Sequence, residues 1–231
     1  VTTQENWANI FDNINPQENE VILARSLDHA ISITRKNNQY VIYDPNYEEA
    51  EKSFATPSEL VKELHGNCLQ YDSKEMGLTI SVITHPEQEP RATLPMASDI
   101  YNRYLNASNV GTKAIIESKQ ATTIELAAFF NDSLLIQKLL KLEKNKFNIY
   151  NAAIFLAINN NPDVLKQLLP LVDNTNNNFF TLLFNILKSG RQEVFNAFMQ
   201  IPEARQNYHQ LLNANNSAQH AINFAAEGGN A

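Results

Sequence analysis

The feature that most constrains this chain is a pattern recurring about every 33 residues across its C-terminal half. Four segments align without gaps: Ala127-Ala128-Phe129-Phe130-Asn131, Leu156-Ala157-Ile158-Asn159-Asn160, Ile186-Leu187-Lys188-Ser189-Gly190 and Ala225-Ala226-Glu227-Gly228-Gly229. Each reads as an apolar pair, two variable residues, then Gly or Asn. After three of them comes an apolar-rich run: Leu134 to Leu140, Asp163 to Leu169 and Glu193 to Met199. Apolar residues in these runs fall on one helical face, and Gly or Asn accepts the left-handed backbone that ends a helix. A period of this length signals stacked helix pairs. A generic helical bundle or another helical-repeat family is the alternative.

The pattern resembles the ankyrin repeat, whose core reads Leu-His-x-Ala-Ala-x-x-Gly-His-x-Glu-Val-Val-x-x-Leu-Leu. Ile222 to Asn230 matches best, and Gly190-Arg191-Gln192-Glu193-Val194 matches in the third repeat. No Thr-Pro-Leu-His opening is present, and Ile186-Leu187 stands in place of Ala-Ala. The resemblance implies a concave face that holds another protein. That face would comprise the exposed positions of Ile154 to Asn160 with Phe147-Asn148-Ile149 before them, and the matching positions of Phe184 to Gly190. The faces Val164/Leu165/Leu168 and Val194/Phe195/Phe198 are expected between helices. The last repeat is expected to be truncated.

Residues 1 to 96 read differently. Trp7, Ile10, Phe11 and Ile14 share a helical face. Val21 to Ala24, His29 to Thr34, Gln39 to Tyr43 and Gly77 to Ile83 have the residue types of strands. Pro57-Ser58 opens a helix over Glu59 to His65, with Ser58 or Thr56 as its N-cap. Pro86, Pro90 and Pro95 mark a linker, and helices are expected over 97–121 before the repeats begin at 122.

The hairpin turning at Arg35-Lys36-Asn37-Asn38 brings two titratable side chains onto one face. With Lys36-Asn37 as the turn, His29 lies opposite Asp44; with Asn37-Asn38, Asp44 faces Ile31. In both registers His29 and Asp44 share a sheet face, because strand side chains repeat every two residues. Asp44 can then take a proton from the imidazole and fix its tautomer, the base–orienter half of a nucleophilic triad. A structural His–Asp hydrogen bond at a sheet end has the same signature.

Asp28-His29-Ala30-Ile31-Ser32-Ile33, then Tyr43-Asp44-Pro45-Asn46, then Ser58-Glu59-Leu60 and an apolar strand resemble the C-terminal half of papain-like cysteine peptidases of the YopT/AvrPphB type. Asp28 replaces the Gly usual before the His. The resemblance implies His29 as general base and Asp44 as its orienter, in an α+β papain-like lobe with an antiparallel sheet. The nucleophile and oxyanion donor would lie before Val1, which opens the chain in place of Met. The one cysteine, Cys68, follows Asp44 at the end of a predicted helix, where the dipole opposes a thiolate, so an inert thiol is expected there. Acyl transfer of the transglutaminase or deamidase kind is within reach of the same triad. A non-catalytic scaffold with a peptidase-like lobe is the rival reading.

Composition narrows the field. Net charge is −7, which argues against nucleic acid and anionic membranes as partners. Hydrophobic residues make up 43% and charged residues 19%, enough for a packed core. A lone cysteine excludes an internal disulfide, and no apolar run reaches membrane-span length. His65 and Cys68 have metal-like spacing, but no second pair joins them, so no metal is expected. No Gly-rich phosphate loop is present, and no cofactor is expected. With the Asn-rich composition, the layout is similar to translocated bacterial effectors of the Legionella ankyrin class. That similarity implies type IV secretion into a host cytoplasm and a host-protein partner.

Overall fold

A computed structural model describes residues 1–105, 113–116, 119–142, 149–172, 176–213 and 215–229. The chain divides into two compact units, Val1–Leu126 and Ala127–Ala231.

The first unit is a mixed α+β lobe. β1 (Thr2–Thr3) leads into α1 (Gln4–Ile14), which is capped by Thr3 Oγ1 and stopped by Asn15 in the left-handed conformation. β2 (Glu20–Arg25), β3 (Ala30–Lys36), β4 (Gln39–Tyr43) and β5 (Glu51–Phe54) follow in turn. α2 (Pro57–Glu63) continues into a π-turn over Leu64–Cys68; β6 (Glu75–Met76), β7 (Thr79–Thr84) and α3 (Ala97–Tyr104) come next. The main sheet is antiparallel, in the order β5-β4-β3-β2-β7. Ile22, Ala24, Ile31, Ile33, Tyr40 and Ile42 project from one face of it. They form a core with Trp7, Ile10, Phe11 and Ile14 of α1 and Leu60, Val61 and Leu64 of α2. The N-cap of α2 is Thr56, in a reciprocal capping box with Glu59; Ser58 is excluded because Pro57 already occupies the first helical turn.

The β3–β4 turn is Asn37-Asn38, with φ of 51° and 63°. Two-residue hairpin turns that match strand twist need positive φ at both positions, which asparagine tolerates and lysine does not, so this register wins over Lys36-Asn37. Helices over the whole of 97–121 are not observed. After α3, β8 (Lys113–Ile116) and β9 (Lys119–Thr122) form a hairpin that buries Ala114 and Ala121. The first unit therefore runs on to Leu126, past the expected boundary at residue 122.

The second unit is helical. α4 (Thr123–Phe129) crosses the boundary into it and is followed by α5 (Ser133–Leu142), α6 (Tyr150–Ile158), α7 (Pro162–Leu168) and α8 (Asn176–Ser189). α9 (Gln192–Met199), α10 (Pro202–Leu212) and α11 (Asn215–Glu227) complete it. α6 packs on α8 and α8 on α11, while α5 meets α7 and α7 meets α9, so alternate helices form two rows. The fifth residues of the four aligned segments, Asn131, Asn160, Gly190 and Gly229, all have positive φ, between 54° and 76°. The repeat seen in sequence is thus a repeat of backbone conformation. The longer third interval is accounted for by α10, an additional helix. Val164, Leu165, Leu168, Val194 and Phe198 are buried and Phe195 is half-buried.

Neighbouring repeats are also tied by asparagine. Asn159 Nδ2 donates to the carbonyls of Ala128 and Phe129, both at 2.9 Å, satisfying groups that a helix end leaves open. Asn161 Nδ2 reaches Asn131 Oδ1 at 2.6 Å and Ser133 Oγ at 2.9 Å.

Candidate functional site

His29 stands just before β3 and Asp44 just after β4, at one end of the main sheet. The observed register makes them diagonal neighbours, and His29 Nε2 lies 3.0 Å from Asp44 Oδ2. Asp44 is buried, while 22% of the His29 side chain is exposed. As a carboxylate Asp44 only accepts, so the ring carries its proton on Nε2. Nδ1 has no hydrogen-bond partner among the described residues.

Both members are held from behind. Asp44 Oδ1 accepts the Asn46 amide at 2.9 Å, across the turn made by Asp44-Pro45-Asn46. Buried Ser26 holds His29: the Ser26 amide donates to the His29 carbonyl at 2.8 Å, and Ser26 Oγ accepts the His29 amide at 3.2 Å. Asn46 acts through its backbone amide, and Ser26 through its hydroxyl and its amide on the His29 backbone; such turn contacts leave little trace in a sequence beyond turn-forming composition.

Cys68 is not part of this pair. Its Sγ lies 2.6 Å from the Tyr47 hydroxyl, which donates its one proton to Glu63 Oε1 at 2.8 Å. The thiol is therefore the donor to Tyr47 and stays protonated. Burial pushes the Cys68 thiol up to about 11; the charges of Asp44 and Glu63 push the same way, against Lys52. Burial, and the proton it donates to Glu63, also raise the Tyr47 phenol. Glu63 feels burial too, but hydrogen bonds from Lys52, Asn67 and Tyr47 outweigh it and hold its carboxyl below the usual range. Cys68 closes the π-turn after α2, whereas the sequence pattern placed it beyond a helix end. At either position the dipole disfavours a thiolate. Tyr47, missed in the sequence, carries no motif; only the fold brings it to the thiol.

The remaining candidates do not converge. His65 Nε2 donates to the Ser73 carbonyl at 2.6 Å, and His85 Nδ1 accepts the Glu87 amide. No group of three or more His, Cys, Asp or Glu among the described residues could hold a metal ion. Nor is any described helix long and apolar enough to cross a membrane.

In the helical unit, Ile158 is 51% exposed and Asn160 and Lys188 are exposed, while Leu156, Ala157, Ile186 and Leu187 are buried. Phe147 and Asn148 lie outside the described residues.

No family model, no curated protein and no solved structure matches this chain.

Proposed function

We propose that the chain couples a protein-binding helical array of ankyrin type to a papain-like half-site, as in an effector that a bacterium translocates into a host cell. The array holds a host protein through the exposed positions of its inner helices, Ile158 and Lys188 among them. The lobe presents His29 as general base, oriented by Asp44. The observation that carries this reading is the His29–Asp44 contact, with the orienter buried, the base half-open and Nδ1 unoccupied. An oriented imidazole of this kind takes a proton from a nucleophile as it attacks. Cys68 is committed to Tyr47 and kept protonated, so the attacking thiol comes from outside these residues.

The buried, protonated Cys68 equally favours a second reading, a scaffold that binds without cutting. Mass spectrometry of a host protein captured in infected cells separates the two. The half-site reading expects the partner cleaved or acyl-modified, with His29→Ala abolishing the change and Asp44→Asn lowering its rate by up to about 10⁴-fold while capture persists. Recovery of the partner intact from the unsubstituted protein supports the scaffold. Capture that survives Ile158→Glu and Lys188→Glu would remove the array as the recognition element.

A further inference from the structure

We propose that Tyr47 is a positioning residue for His29: its hydroxyl latches the loop that carries Asp44 onto the end of α2 and so fixes the carboxylate that orients the imidazole. The inference deepens the half-site reading and concerns how that pair is held in place. The loop runs from Asp44 to the start of β5 and closes on itself through backbone bonds. The Asp44 amide donates to the Ala50 carbonyl at 3.1 Å, the Tyr47 amide to the Asp44 carbonyl at 3.0 Å, and the Ala50 amide to the Tyr47 carbonyl at 3.1 Å. Inside the same ring, the Asn46 amide holds Asp44 Oδ1 at 2.9 Å. The ring closes against strain, because Ala50 takes a left-handed φ of 60° that an L side chain resists. A loop under that strain, with Pro45, Asn46, Glu48 and Glu49 all exposed, keeps its shape only if something ties it to the body of the lobe.

Tyr47 supplies that tie. Its ring packs against the hydrophobic core, and its hydroxyl donates at 2.8 Å to Oε1 of Glu63, the last residue of α2. The thiol of Cys68, in the π-turn, donates to the same hydroxyl oxygen at 2.6 Å. Glu63 is itself held from two further sides, by Lys52 of β5 at 2.9 Å and by Asn67 of the π-turn at 2.7 Å. Lys52 Nζ also lies 4.0 Å from the centre of the Tyr47 ring, so the strand that leaves the loop closes over it. Hydrogen bonds to charged acceptors are among the stronger kinds, and this acceptor is fixed by its other contacts. Asp44 is thus placed from two directions. β4, which ends at Tyr43, holds it on one side, and Tyr47, three residues on, holds it on the other. Keeping one carboxylate oxygen 3.0 Å from a partly exposed imidazole depends on both.

The test compares the ¹⁵N-labelled full chain with Tyr47→Phe, which keeps the ring and removes the hydroxyl. Hydrogen exchange of the Asp44, Asn46, Tyr47 and Ala50 amides should quicken about tenfold or more, the worth of a hydrogen bond to a charged group, while the amides of β2 and β3 keep their rates. The two imidazole ¹⁵N shifts of neutral His29 should move toward each other, because a ring released by Asp44 mixes its tautomers. A residue that merely supports the fold would leave those shifts alone. Glu63→Ala removes the acceptor and should reproduce both effects. Cys68→Ala leaves the Tyr47–Glu63 bond in place and should produce neither. Unchanged imidazole shifts in Tyr47→Phe would overturn the proposal. So would faster exchange spread evenly over the lobe, or a Cys68→Ala variant that behaves like Tyr47→Phe. Should Glu63→Ala fail to fold, Tyr47→Phe still decides. These readouts need no partner, so the latch can fail while the half-site reading stands, and partner cleavage can fail while the latch holds.

Discussion

In the helical unit, five-residue segments about 33 residues apart on average each place a Gly or Asn at a left-handed corner, and successive corners touch, Asn161 on Asn131 and Gly190 on Gly228. In the sheet lobe, His29 and Asp44, 15 residues apart in sequence, meet only through the pairing of β3 with β4, and the turn at Asn37-Asn38 makes them diagonal neighbours. The array repeats a local solution, whereas the lobe depends on non-local register, where one slip moves every side chain to the other face. Under the proposed reading, chemistry that needs two groups at 3 Å belongs to the lobe, and binding that needs a broad surface belongs to the array.

The largest expected effects test whether the units are separate cooperative blocks. Phe11 and Leu168 are both fully buried. Phe11→Ala should cost about 3–5 kcal/mol and Leu168→Ala about 2–5 kcal/mol, each through the cavity it leaves. Hydrogen exchange should show protection lost across α1 and β2–β4 in the first variant, and across α7 and α9 in the second. Equal loss in both units from either substitution would mean one block, and the contrast drawn above would fail.

Corner residues sharpen the comparison next. Gly190 has φ +67°, and a Cβ there would stand 2.1 Å from the Gly228 carbonyl oxygen. Gly190→Ala should cost well over ~1 kcal/mol, from the left-handed conformation plus the displaced α11 end. At the matching corner Asn160 already carries a side chain at φ 54°, so Asn160→Gly should change stability by only a few tenths of a kcal/mol, about the Gly–Asn difference at such sites. Urea denaturation of both variants measures the gap, and equal effects would show that the aligned positions are not equivalent.

Legibility in the sequence follows the same division. The apolar faces of α1, α7 and α9 and the strands β2, β3, β4 and β7 are visible from residue type, because burial imposes periods of 3.6 and 2. β5, Glu51-Lys52-Ser53-Phe54, has no apolar alternation, being an exposed edge strand that only its pairing with β4 creates. The β8–β9 pair escapes for a related reason: its buried apolar residues, Ala114 and Ala121, are too small to mark a strand. The His29–Asp44 contact is readable because both candidate registers keep the two on one face. The Tyr47–Cys68 contact joins a loop to a π-turn and is not.

Alkaline pH offers a smaller, signed effect. The Cys68 thiol is raised to about 11 from an ordinary value of 9.0, mainly by burial. A folded-state value above the unfolded one means that the unfolded chain loses its proton first. The contribution is therefore whole below about pH 9 and declines as pH rises toward about 11. Denaturation midpoints should fall over that window more steeply in the unsubstituted chain than in Cys68→Ala; parallel curves would show a thiol that is not held. Alkylation by iodoacetamide at neutral pH should be about a hundredfold slower than for a free cysteine, following the thiolate fraction.

A small change in stability carries the most information about the site. Asp44 Oδ1 is taken by the Asn46 amide, and Oδ2 meets His29 Nε2. An asparagine at this position has one acceptor for two donors. With its oxygen on Asn46, it turns its NH₂ toward His29 and drives the ring proton from Nε2 to Nδ1. Asp44→Asn should therefore cost only about 1 kcal/mol, the worth of one exchanged hydrogen bond, while reversing the tautomer. Imidazole ¹⁵N shifts at a pH where the ring is neutral read the two nitrogens separately. A protonated Nε2 in the unsubstituted chain and a protonated Nδ1 in the variant are expected. Should the unsubstituted ring already carry its proton on Nδ1, Asp44 does not orient it, and the lone pair needed by a general base points into the buried side of the lobe.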